Sequence, residues 1–319
     1  MSIRHTILDW AERGAISDAR AALEVAGVLP RGRQWRTFLD RLLVGSAAMA
    51  LAAAAVFFVA YNWNELGRFA RFGLAQALVV AAVLAYWRCG PDSRPGKAAL
   101  LAGAILLGAL LALFGQVYQT GADTWELFAN WAALIVPWVL VGHFAALWML
   151  WLVLLNVAIA LYYQAFPGAP LRFFGGEPEL WALFACNTVA LALWELAARR
   201  ARWLAERGWP RLIAIASGAF ITALMLEALF GSAKPIKLAV LAYPVWLGCV
   251  YGVYRKLLPD LFMLSGACVS VIIVVAAFMW EKLFRHADSM SLLLIAVAVA
   301  ALGALFARWL RHVAREARA

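Results

Sequence analysis

Of the 319 residues, 66% are hydrophobic and only 14% are charged, whereas charged residues in soluble domains reach about 25%. That balance excludes a soluble globular protein. The net charge of +10 would suggest a nucleic-acid partner in a water-soluble chain, but its distribution along the sequence marks membrane sidedness, and no nucleic-acid partner is expected.

In chain order, residues 1–41 are expected to form a short cytoplasmic head. Ile3, Ile7, Leu8 and Trp10 recur at helical spacing, Gly14 breaks the pattern, and Ser17 is placed to cap a second helix from Asp18 to Val25. The resulting helical hairpin, ending at Gly27 and Pro30, suits either a docking module or an amphipathic lead-in on the membrane surface. About forty residues rich in both charge signs stand before the first apolar run, so no cleavable leader is expected and the first span is expected to direct insertion itself.

Runs of roughly 17 to 25 apolar residues are long enough to cross a bilayer core. Ten are expected, at residues 42–61, 69–87, 98–118, 125–141, 144–163, 180–198, 212–230, 238–254, 261–280 and 292–310. Only Gly142 and His143 separate the fourth from the fifth. The expected fold is therefore an all-α polytopic membrane helix bundle over 42–310, with a basic cytoplasmic tail at 311–319. Ala-rich first and third spans and the Gly248-x-x-x-Gly252 pair suggest close helix packing.

With a cytoplasmic N-terminus, 21 of the 28 Lys and Arg residues fall on the inner side of these spans. A bias of that size predicts cytoplasmic N- and C-termini. The outer side is then close to neutral, since Glu65, Asp123, Glu126, Glu177, Glu179, Glu227, Glu281 and Asp288 offset its basic residues. Tryptophans at span ends, such as Trp63, Trp87 and Trp125, suit the interfaces.

One stretch departs from the apolar background. Between Gly115 and Trp131 the chain places Gln116, Tyr118, Gln119, Asp123, Trp125, Glu126 and Asn130 close together, at the outer junction of the third and fourth spans. Read as a continuous helix, Gln116, Gln119, Asp123, Glu126 and Asn130 share one face and would line a water-filled groove. Read as a break, Gly121 caps the third span, and Asp123 with Glu126 forms a capping box that starts the fourth. The end of the first span adds Asn62, Trp63, Asn64 and Glu65 to the same face. Glu227, one turn inside the seventh span, needs a partner such as Lys234 or Lys237. These positions are the candidate substrate- or ion-binding residues.

Elsewhere, Glu195 is expected to pair with Arg199 one helical turn later, and Asn156, Asn187 and Thr188 are expected to form interhelical hydrogen bonds. Cys89, Cys186, Cys249 and Cys268 lack metal or disulfide spacing, and the four histidines are scattered. No hydrolase, phosphate-loop or zinc motif occurs, so no metal or cofactor is expected.

The run YNWNELGRFARF followed by GQVYQTGADTWELFANWAALIVPW resembles the bacterial polytopic membrane family of domain of unknown function 2157, as does the head with Trp10 and Gly14-Ala15-Ile16-Ser17. The resemblance covers about residues 1–165. It implies a bacterial inner-membrane location and an association with further membrane or periplasmic proteins, but carries no activity. Three functions follow as expectations: a transporter or lipid- and envelope-handling protein with an outward-facing polar site, a non-transporting scaffold, and an intramembrane transferase acting on an envelope lipid or glycan.

Overall fold

The computed structural model describes residues 3–26, 35–36, 39–40, 43, 65–119, 121–166, 178–230, 238–283 and 289–316. The described regular structure is helical throughout, as lipid demands: a helix satisfies its own backbone donors and acceptors where no water can do so. The chain divides into two compact units, residues 1–71 and 72–319.

In the first unit, α1 (Ile3–Glu12) and α2 (Ala19–Val25) pack together, burying Ile7 and Leu23. Gly14 ends α1 with a positive φ of 72°. The cap of α2 is Asp18, whose carboxylate accepts the Ala21 N–H at 3.0 Å. The sequence pattern favours Ser17 there; the carboxylate one residue later reaches the free amide instead.

The second unit carries α3 (Arg68–Cys89, its first turn belonging to the first unit), α4 (Arg94–Tyr118), α5 (Thr124–Gly142), α6 (Ala145–Ala165), α7 (Pro178–Ala198), α8 (Gly208–Phe230), α9 (Leu238–Gly252), α10 (Leu261–Leu283) and α11 (Ser289–Glu316). Among the described residues these nine are long and apolar enough to cross a membrane, α9 being extended by a π-helical turn at Val253–Leu257. They coincide with the second to tenth expected spans; the run at 42–61 lies outside the described residues. His143, held at φ 42°, and an extended Phe144 separate α5 from α6. Helix α11 continues to Glu316, so the boundary expected at residue 310 falls inside a helix.

Sequence neighbours pack as antiparallel pairs, with α5 against α6 and α7 against α8 the most extensive, while α10 sits against α8, α9 and α11. Small residues permit close approach in α4, where the Trp131 ring lies against Gly108 and its Nε1 donates to the Ala104 carbonyl at 2.7 Å. A Cβ at Gly108 would come within 2.3 Å of that ring. A Cβ added at Gly248 or Gly252 would meet nothing within 4 Å among the described residues, so the pair does not bring two described helices into close approach.

Polar side chains stitch the apolar helices together, as lipid-embedded interfaces commonly require. Asn156 of α6 and Asn187 of α7 bond to each other through their amides, and each also donates to a carbonyl one turn back on its own helix. Thr188 meets Ser217 of α8 at 2.7 Å. Ser270 of α10 takes part in hydrogen bonds with both Thr222 of α8 (2.6 Å) and Tyr243 of α9 (2.8 Å). The expected interhelical role of Asn156, Asn187 and Thr188 is thus what the structure shows.

Candidate functional site

Five polar side chains from separate segments converge where α7 and α9 end and α8 and α10 begin. Asp260 stands just before α10, and its Oδ1 accepts the Phe262 N–H at 3.0 Å, the usual task of an N-cap acid. The same carboxylate receives two guanidinium groups. Arg207 donates Nε (3.2 Å) and Nη2 (3.0 Å) to Oδ2, while Arg211 approaches as a fork, with Nε on Oδ2 and Nη2 on Oδ1, both at 3.2 Å. Arg207 also places Nη1 on both oxygens of Glu195 at 3.1 and 2.8 Å. The Tyr254 hydroxyl donates to Glu195 Oε1 at 3.1 Å.

Burial makes this network consequential. The side chains of Asp260 and Glu195 are 2% and 8% exposed, and a carboxylate so far from water must be paired and hydrogen-bonded to stay ionised. For Asp260, burial pushes the carboxyl up, but the bonds from Arg211, Arg207 and the Phe262 amide outweigh it and hold the group below its ordinary value. Burial likewise weakens the charge on Arg207, and its hydrogen bonds to Glu195 and Asp260 more than restore it. The π-helical turn contributes directly: its wider winding turns Tyr254 inward, where it is buried against the network.

Glu195 therefore does not take Arg199 as its partner. The helix ends in a turn at Arg199 and Arg200, and the chain folds back through a short 3-10 segment at Arg202–Leu204. That return delivers Arg207 to the buried carboxylate with a geometry that Arg199, exposed past the end of the helix, lacks.

Two cavities meet at this end. A recess of about 590 Å³ is lined by Arg207, Arg211, Arg255, Asp260, Phe262 and Glu316, among others. The α11 end closes one side, where Glu316 pairs with Arg255. A second cavity of about 610 Å³ runs between α8, α9 and α10, bounded by Ile215, Ala219, Trp246, Gly266, Val269 and Ile273. Its walls are mostly apolar, and the hydroxyls among them are engaged: Thr222 and Ser270 bond to each other, Ser265 donates to the Phe262 carbonyl and Tyr254 to Glu195. Tyr254 and Phe262 line both cavities, so the two adjoin there. Arg211 stacks its guanidinium over Phe262, 5.3 Å from the ring centre, at this junction.

The residues expected to form a site lie elsewhere. Asn62, Trp63 and Asn64 fall outside the described residues, and Glu65 is exposed in a turn before α3. Gln116 and Tyr118 occupy the last turn of α4; Tyr118 packs its ring on Phe114 and Phe72. Gln119 is the C-cap of α4 in the left-handed region, φ 44°, so the helix ends two residues before Gly121. Asp123 takes the N-cap position of α5 with extended backbone, yet its side chain makes no capping bond, and the reciprocal capping box does not form. The break between α4 and α5 also means that Gln116, Gln119, Asp123, Glu126 and Asn130 do not form one continuous helical stripe. The side chains of Gln116, Gln119, Asp123 and Glu126 make no hydrogen bond or ion pair with one another. Trp125 sits edge-on to Tyr162 with ring centres 5.1 Å apart, its Nε1 buried with no partner among the described residues. Glu227 is half-buried in α8; Lys234 and Lys237 lie outside the described residues.

Comparison with known families adds one finding. Residues 8–148 match the family described as predicted membrane protein (DUF2157). The matched segment holds the Gly115–Trp131 stretch and ends within α6, short of every residue of the ionic network. No curated protein and no solved structure matches the chain.

The network is hidden in the sequence because Arg207 and Arg211 look like ordinary inner-loop basic residues and Asp260 like an ordinary turn acid. The available signal is the Pro259-Asp260 pair opening a span, with an acid as N-cap and basic residues on the preceding loops.

Proposed function

We propose that this protein is a lipid-handling integral membrane protein that admits an acyl chain laterally from the bilayer. The observation that carries this reading is the apolar cavity between α8, α9 and α10, joined at Tyr254 and Phe262 to the ionic recess. Its rim residues Ile215, Val269 and Ile273 are exposed, so hydrocarbon has direct access. Along α10 the cavity runs from Phe262 to Ile273, about 16 Å at the helical rise of 1.5 Å per residue. One leaflet of a bilayer core is about 15 Å deep, so the cavity has the depth of one leaflet with the charged recess at its surface end. The interior polar groups bond to one another across helix interfaces, which suits a lateral lipid site better than an aqueous path for a solute.

In this reading the protein sits in a bacterial inner membrane with both termini cytoplasmic, supported by the concentration of 21 of 28 basic residues on one side of the spans. The recess then opens at the cytoplasmic leaflet.

The test fills the cavity. Gly266 lines it, and a Cβ added there would meet nothing within 4 Å; the same openness holds at Gly73 on α3, which is not part of the cavity lining. Native mass spectrometry of Gly266→Trp released from mild detergent should show one fewer retained phospholipid per chain than wild type, with Gly73→Trp unchanged. Equal lipid retention in all three would overturn the reading.

A further inference from the structure

The recess contains a donor that no described residue uses. Arg211 spends Nε and Nη2 on Asp260, while its Nη1 makes no hydrogen bond among the described residues. The side chain is 40% exposed, lines the recess, and stacks on Phe262 where the recess meets the apolar cavity. The carboxylates beside it are in the opposite condition. Asp260 accepts from Arg207, Arg211 and the Phe262 amide, and Glu316 is paired with Arg255 and His312. Three guanidinium groups line the recess, and the carboxylates that balance them, Asp260, Glu316 and the Glu195 behind Arg207, are all taken up by these pairings, so an open donor faces the recess while its acceptors are occupied.

Resting on the lipid-handling reading, we propose that Arg211 binds the phosphodiester of an anionic phospholipid whose acyl chain lies in the α8–α9–α10 cavity. Asp260 holds the guanidinium by one edge, and the opposite edge with Nη1 faces the recess, so the arginine is oriented before the lipid arrives. Phe262 underneath excludes water from one face of the guanidinium, strengthening its interaction with a phosphate. A zwitterionic head group would bring an ammonium into a recess whose carboxylates are already spoken for, which disfavours phosphatidylcholine relative to phosphatidylglycerol. Water-soluble phosphates satisfy the guanidinium but leave the adjoining cavity unfilled.

The experiment uses the full chain in mild detergent, titrated with phosphatidylglycerol or phosphatidylcholine of identical acyl chains and read by native mass spectrometry. Wild type should retain phosphatidylglycerol about fivefold more strongly, the equivalent of about 1 kcal/mol for one basic side chain facing an anionic lipid. Arg211→Gln should bring the two lipids level, and Arg211→Lys, which keeps the charge but not the fork, should retain part of the preference. Thermal melting identifies any variant that fails to fold, in which case the wild-type ratio alone decides. Glycerol 3-phosphate at millimolar concentration should not displace the lipid; displacement, or binding of glycerol 3-phosphate that persists in Gly266→Trp, would overturn the lipid assignment. Equal retention of both lipids by wild type, together with loss of both in Gly266→Trp, overturns the head-group proposal and leaves the lipid-handling reading standing. If no form retains either lipid, both fall.

Discussion

The turn between α4 and α5 and the ionic end of α7 to α10 spend polar residues in opposite ways. The turn crowds Gln116, Gln119, Asp123 and Glu126 into one short stretch of chain, and their side chains make no hydrogen bond or ion pair among the described residues. The ionic end draws Glu195, Arg207, Arg211, Tyr254 and Asp260 from four helices and their loops, and nearly every donor and acceptor there is matched. Proximity in sequence supplies polar groups to a surface, but only convergence of separate segments can take charged groups out of water together. Burial then converts each pairing into a requirement, because removing one partner strands the other.

The largest expected effect is at Asp260. Asp260→Asn preserves shape and leaves Arg207 and Arg211 without their shared anion, and should cost about 3 kcal/mol, seen as a lowered thermal midpoint in detergent. Under the same assay Arg207→Gln should be strongly destabilising and Arg199→Gln close to wild type. Equal effects at positions 199 and 207 would break the comparison by restoring the local helical pair.

Acid should reveal the same carboxylate. The folded Asp260 carboxyl titrates below its ordinary value, so its stabilising contribution is complete above about pH 4, the ordinary range for Asp, and disappears as the pH falls through the lowered folded value. Melting midpoints measured from pH 7 downwards should therefore lose a component below about pH 4 that Asp260→Asn lacks.

A smaller effect is expected at the amide pair. A double-mutant cycle on Asn156→Ala and Asn187→Ala should give a coupling of about 1 kcal/mol, typical of a polar contact between membrane helices.

The smallest effect is expected at the turn. Asp123→Asn combined with Glu126→Gln should shift stability by less than about 0.5 kcal/mol, because Asp123 makes no capping bond at its N-cap position and neither carboxylate belongs to an ion-pair network. A drop comparable to that of Asp260→Asn would show that the turn carries a buried engagement after all. Loss of solute flux or of a co-purifying partner in a folded double variant would assign it the outward-facing role that its composition suggests.

Much of the architecture was legible in the residues. Apolar length alone locates the spans, because a bilayer leaves a backbone few options, and the His143 break between α5 and α6 follows from two residues that interrupt the run. Caps were less legible: Asp18 rather than Ser17, and Gln119 rather than Gly121, take the terminal positions, since neighbouring residues with similar propensities compete and small differences in reach decide. The ionic network could not be read at all from local spacing. Glu195 has a basic residue at i+4, which favours Arg199, yet the helix stops there and the returning loop brings Arg207.

What the sequence by itself determined is that this chain crosses a membrane many times, where most of its helices lie, and that its basic residues cluster in some of the connecting segments and are scarce in others. Those properties depend on composition within windows of about 20 residues, and hydrocarbon enforces them one segment at a time. Tertiary structure alone decided which charges are buried, which arginine keeps a free edge, and that an apolar cavity opens beside it. Such features depend on the relative placement of residues such as Glu195, Arg211 and Asp260, which lie on different segments and meet only when α7, α8 and α10 pack.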